Sequence, residues 1–161
     1  MQKLNKILKL YETALDNEIS LYEDCPENII AMAAKYPDGR KMIGILNFDA
    51  IGSSFYYSDR KKRAYTKLEC FAHEMGHCLE DAFYCAEDTY SFRCKQEARA
   101  EKWAIQYVIP FDDLCQAVKE GNTQLWELSE YFDVSEKFVQ QAIQYYEQHN
   151  KFVPKKLYNN D

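Results

Sequence analysis

The chain has 161 residues, 47% hydrophobic and 29% charged, which is the balance of one ordinary globular domain rather than of a disordered or fibrous chain. Its net charge of −6 argues against broad or direct nucleic-acid binding, which needs a basic face to neutralise phosphates. No stretch approaches the ~18 consecutive apolar residues of a membrane span, so a soluble chain without membrane partners is expected.

At the start, Leu4, Ile7, Leu8, Leu10 and Tyr11 are spaced by charged residues. That pattern predicts an amphipathic helix over 3–15 and not an export segment, hence a cytoplasmic protein. Residues 19–22 read as a short strand and 28–35 as a helical turn. Tyr36-Pro37-Asp38-Gly39 is a turn signal, since Pro fixes φ and Gly supplies a positive one. Residues 42–48 then read as a mostly buried strand. Phe55-Tyr56-Tyr57 reads as a second strand or an aromatic loop.

A long helix is predicted over 61–81, with Leu68, Phe71, Ala72, Met75 and Leu79 at helical spacing. A loop over 83–90 follows, then a helix over 92–108 that stops before Pro110. Further helices are expected over 111–119, 123–132 and 135–148, the last with Asp133 or Ser135 near its cap. Residues 155–161 read as frayed. The six cysteines form no C-x-x-C pair, so free and mostly buried thiols are expected.

The helix over 61–81 carries His73-Glu74-Met75-Gly76-His77. Histidines four apart on a helix project from one face, within reach of a single ion. Glu74 projects from an adjacent part of the helix and can approach a metal-held water without being a ligand. This is the H-E-x-x-H arrangement of zinc peptidases. Gly76 costs the helix roughly 1 kcal/mol relative to Ala, and its small size would let a backbone or a substrate approach closely. A His pair on an ordinary helix is the competing view. It is disfavoured because the surrounding helix is apolar and an unpaired polar group there would be costly. A catalytic zinc takes three protein ligands and a water. The only other histidine, His149, is far along the chain, so the third ligand is sought in Glu97 and Glu101, themselves four apart. Spacing does not choose between them: one would coordinate and the other would hydrogen-bond a ligand imidazole.

Three segments resemble the ImmA/IrrE family of zinc metallopeptidases: residues 63–77 around the zinc motif, residues 97–110 similar to the family's E-x-x-A-[ND]-x-[FW]-A ending in Pro, with Glu101 standing where the family more often has Asn or Asp, and residues 125–145 with a Val134-Ser135 turn. The resemblance implies an α+β, mainly helical zincin-like domain with a small sheet beside the motif helix and helix-turn-helix-like C-terminal helices. It would form a single domain over 1–161, with a catalytic core over 1–110, a helical subregion over 111–150 and a tail over 151–161. It also implies Glu97 as the third zinc ligand, Glu101 as a hydrogen-bond partner of a ligand histidine, one zinc per chain, and Glu74 as general base and acid. Tyr84, in the loop after the motif helix, is a candidate donor to the oxyanion, chosen among 13 tyrosines. Family members cleave helix-turn-helix repressors encoded beside them on phages or mobile elements, so a repressor is the expected protein partner.

Residues 126–139 themselves look like a helix-turn-helix. Gln140, Gln141, Gln144 and Gln148 could face bases, but the stretch from Ser135 to His149 has one Lys against two Glu and offers phosphates no attraction. Packing under the catalytic core is the expected role. A non-cleaving regulator that grips a repressor, and a metal-dependent toxin or antitoxin component, are the alternative functions. Mn, Fe or Co could also suit a His and carboxylate site.

Overall fold

A computed structural model of the chain describes residues 2–23, 25, 30–47, 55–58 and 63–149. The elements are helix α1 (Gln2–Asp16), strands β1 (Ile19–Tyr22), β2 (Ala31–Lys35), β3 (Lys41–Ile45), β4 (Phe55–Ser58) and β5 (Arg63–Thr66), then helices α2 (Lys67–Leu79), α3 (Tyr90–Val108), α4 (Phe111–Lys119), α5 (Leu125–Phe132) and α6 (Glu136–Gln148). The fold is α+β and mainly helical. Strand β3 lies between β1, which pairs parallel to it, and β2, which pairs antiparallel; β4 and β5 form a separate hairpin. None of the described helices is long and apolar enough to cross a membrane.

Two elements differ from the reading of the sequence. Residues 31–35 form strand β2 and not a helical turn, while residues 28 and 29 lie outside the described residues. Ala-Met-Ala-Ala has good helix propensity, but that preference is a few tenths of a kcal/mol per residue. A full ladder to β3 across the Tyr36-Pro37-Asp38-Gly39 turn outweighs it. Tyr36 N–H donates to the Arg40 carbonyl at 2.8 Å and Gly39 takes φ 90°, as the turn demands.

The second difference is the start of α2, at Lys67 rather than near residue 61. Thr66 ends β5 in an extended conformation and caps the helix. Its hydroxyl accepts from Glu69 N–H at 3.2 Å and its own N–H donates to Glu69 Oε2 at 2.7 Å. This capping box, Thr66-Lys67-Leu68-Glu69, fixes the boundary. Elsewhere the elements follow the expectation closely. Strand β4 resolves the strand-or-loop alternative, and Ser135 caps α6 while Asp133, at φ 55°, closes α5. The predicted tail over 155–161 lies outside the described residues. All six cysteines are free, but only Cys70 and Cys78 are buried. Cys85 and Cys94 are exposed because the loop after α2 and the first turn of α3 run along the surface.

One apolar core joins the two halves of the chain. Leu10 and Ala14 of α1, Ile43 and Ile45 of β3, and Leu68, Phe71, Ala72 and Met75 of α2 are buried with Leu128 of α5 and Val139 and Ile143 of α6. Polar ties reinforce the junction: the Tyr146 hydroxyl donates to the Ile109 carbonyl at 2.7 Å, and Gln106 donates to the Tyr145 hydroxyl at 3.0 Å. The most buried tie uses Glu69, which is 3% exposed. Its second oxygen accepts from the Ser135 hydroxyl at 2.5 Å, so one carboxylate joins the first turn of α2 to the first turn of α6. Replacing Glu69 by Ala leaves the Thr66 N–H and the Ser135 hydroxyl buried without this acceptor. The expected loss, read by denaturant unfolding, is about 2–4 kcal/mol of stability, with Glu69→Gln losing less.

Candidate metal centre

Helix α2 brings His73 and His77 onto one face, and α3 brings Glu97 against them. The closeness of the two helices comes from Gly76. A Cβ there would lie 2.6 Å from the Ala100 carbonyl oxygen and 2.9 Å from its Cα. Of the two approaches that Gly76 could serve, the structure uses the one by a neighbouring backbone. Glu97 stands one turn from Ala100 on α3 and faces both imidazoles.

The three side chains converge. His73 Nε2 is 3.2 Å from Glu97 Oε2, His77 Nε2 is 3.3 Å from Glu97 Oε1, and the two Nε2 atoms are 3.2 Å apart. Two neutral imidazole lone pairs at that distance repel unless a proton or a cation lies between them. Ligands about 2.1 Å from a tetrahedral ion stand about 3.4 Å from one another. The observed spacings therefore fit a small divalent ion, and a His, His, Glu donor set is one that zinc accepts. The choice between Glu97 and Glu101 falls on Glu97, which belongs with His73 and His77 to the one group of potential metal ligands found among the described residues.

Glu101 does not take the part expected of it. Its carboxylate accepts from Gln141 of α6. Of the two ligand histidines it was expected to serve, His77 instead has its Nδ1 donating to the Ala82 carbonyl at 2.7 Å. The backbone turns back there because Asp81 adopts φ 50° and Ala82 N–H reaches the His77 carbonyl at 2.9 Å. A proton on Nδ1 leaves the Nε2 lone pair facing His73 and Glu97. No side-chain pattern announces a carbonyl ligand, so Ala82 was invisible in the sequence.

Tyr84 reaches the site, its hydroxyl donating to Glu97 Oε1 at 2.6 Å and its ring lying 6.1 Å from that of His77. This bond and burial push the phenol pKa up to about 12, so it remains a donor. Glu74 is only 8% exposed and lies close enough for its charge to act on His77 and Tyr84. The remaining histidine, His149, sits at the end of α6 with Nδ1 2.8 Å from the Tyr145 carbonyl and takes no part.

Comparison with protein-family models, with curated proteins and with solved structures finds no match for the chain. The site is thus described by its own geometry.

Burial lowers the His77 pKa, but the hydrogen bonds to Glu97 and to the Ala82 carbonyl, with the charges of Glu74 and Glu97, outweigh it and hold the imidazole above 6.5. His73 and His77 hold Glu97 below the usual carboxylate range despite its burial. In the metal-free protein, the His77 contribution to stability is complete below about pH 6.5 and is lost as pH rises through the raised folded value. The Glu97 contribution is present above about pH 4.5 and is lost as pH falls through the lowered one. Metal-free protein should therefore lose melting temperature as pH rises from about 6.5 through the raised His77 value. Zinc requires the neutral imidazoles, so its affinity, measured by chelator competition, should rise by about tenfold or more over the same range.

Gly76→Ala tests the helix crossing. Helix propensity alone would stabilise by about 1 kcal/mol. The contact with Ala100 should reverse the sign to a net loss of about 1–3 kcal/mol and weaken zinc binding, as read by thermal unfolding with and without metal.

Proposed function

We propose that the chain is a zinc-dependent endopeptidase of the ImmA/IrrE type that acts in the cytoplasm on a helix-turn-helix transcriptional repressor. The observation that carries this reading is the convergence of His73, His77 and Glu97 at 3.2–3.3 Å, with Glu74 on the same helix beside them. His73, His77 and Glu97 would hold the zinc. When bound, zinc would lower the pKa of a water toward neutrality and polarise a peptide carbonyl.

The chain's own residues do the rest. Glu74, close enough for its charge to act on His77 and Tyr84, would accept a proton from the attacking water and deliver it to the leaving amide nitrogen. The Tyr84 hydroxyl donates to a carboxylate in the resting arrangement and can turn the same donor toward the oxygen that becomes negative. The Ala82 carbonyl orients His77 throughout.

Strand β2 supports a peptide as the substrate. It is an edge strand of the three-stranded sheet and packs beside α2. Across the ladder the Ile30 carbonyl accepts from Leu46 N–H and Tyr36 N–H donates to the Arg40 carbonyl. By alternation, the backbone groups of Ala31, Ala33 and Lys35 then face away from β3, toward an edge that no described strand covers. An extended segment can add to such an edge by main-chain hydrogen bonds. Six free thiols suit a reducing cytoplasm. The C-terminal helices are packed into the common core, and this supports a repressor as a protein substrate more than DNA as a ligand of α6.

Glu74→Gln decides the matter. The variant should keep about one zinc per chain and lose about 10²–10⁴-fold in cleavage of the repressor encoded beside it. Metal analysis and a gel-based digest, with and without chelator, read both. Equal cleavage by the variant refutes the mechanism. Unbroken partner bound by the zinc-loaded parent refutes peptidase activity and supports a gripping regulator instead.

A further inference from the structure

One cation near the candidate metal centre has no partner among the described residues. Of Arg40, Arg93 and Arg99, the arginines whose side chains are described, Arg40 is bonded to Asp38, and Arg99 to Gln96 and the Glu80 carbonyl. Arg93 makes no ion pair or side-chain hydrogen bond among the described residues, and its Nε is buried without an acceptor. An unmade hydrogen bond on a buried donor costs about 1–3 kcal/mol, and more on a charged group. Acidic residues are close by in the chain, but they are otherwise engaged. Asp88 accepts from the Cys85 N–H at 2.7 Å, Glu87 is bonded to Cys85, and Glu97 faces His73, His77 and Tyr84.

The position of Arg93 is as telling as its isolation. It precedes Glu97 by four residues on α3, so the two side chains share one face of the helix, about 6 Å apart along its axis. Tyr84, bonded to Glu97, lies near enough that the charge of Arg93 pulls its phenol pKa back against the larger upward push of that bond. A peptide advances about 3.3 Å per residue when extended. The guanidinium is thus one or two residues from whatever bond lies over His73, His77 and Glu97. The two terminal Nη groups of a guanidinium offer a parallel pair of N–H donors that matches a carboxylate better than a single carbonyl.

We infer that Arg93 selects the substrate by binding an acidic side chain, Asp or Glu, carried one or two residues from the scissile bond. The inference rests on the endopeptidase reading and names a chemical requirement of its substrate. Arg93 is a specificity residue here; it takes no part in proton transfer.

Two peptide hydroxamates that differ only in a Glu or a Gln next to the zinc-binding group test this without requiring turnover. Binding to the zinc-loaded full chain is measured by titration calorimetry. The Glu probe should bind the parent at least about tenfold more tightly, and added salt should narrow the gap. Arg93→Gln should bring the two probes within about twofold, leaving zinc content and affinity for the Gln probe unchanged. Arg93→Lys should keep part of the preference, because charge remains and the fork is lost. Equal affinities in the parent, or a preference that survives in Arg93→Gln, overturn this inference and leave the peptidase reading standing. A parent that holds no zinc, or binds neither probe, overturns both.

Discussion

The metal centre depends on how closely α3 can lie against α2, and that is set where Gly76 meets the backbone of Ala100. The missing side chain at Gly76 leaves room for a carbonyl oxygen and a Cα that any Cβ would strike. Ala100 and Ala104 on α3, and Ala72 on α2, are all fully buried and small. Glu97 is a short-reaching ligand, and its carboxylate meets both imidazoles only because the helix that carries it comes this near. A helix-weakening glycine in the middle of the motif is therefore a packing device, and its propensity cost is the smaller term.

Helix α2 is also held at both ends, which keeps the two histidines where the crossing puts them. At its start, the Glu69 carboxylate joins Thr66 and Ser135, and Lys67 pairs with Glu23 at 2.9 Å beneath Tyr11. At its end, Lys41 donates to the Cys78 carbonyl at 2.6 Å, and both Lys41 and Lys35 reach Asp81. Cations at the carboxyl end of a helix offset the partial negative charge of its unpaired carbonyls. Because Ala82 follows directly, this end also fixes the carbonyl that orients His77. Such supporting bonds fix the converging side chains relative to one another without a separate ordering step.

The charges at the centre divide between those the fold satisfies and those it leaves for a ligand. Glu97 is answered by two imidazoles and a phenol, and Glu101, one turn further on, by Gln141 of α6. Arg93, one turn earlier on the same helix, is answered by nothing among the described residues. Three charged groups on one helix thus meet three different surroundings, although their spacing along the chain is the same.

The sequence by itself determined whatever depends on local geometry. His73 and His77 share a face because a helix repeats every 3.6 residues, and the Pro37 and Gly39 turn, the stop before Pro110 and the mainly helical character follow from equally short-range rules. The start of α2 was legible too, in Thr66 and Glu69, but the continuing run of charged and apolar residues upstream masked it. Only the tertiary structure decided the rest. Residues 31–35 became a strand because β3 offered a ladder that a weak helix preference could not match. The choice of Glu97 over Glu101, the Ala82 carbonyl and the lack of a partner for Arg93 among the described residues depend on where α3 crosses α2. That crossing is fixed by contacts between residues more than 20 apart in the chain, such as Gly76 and Ala100, and no periodicity along either helix encodes which turn of one will face which turn of the other.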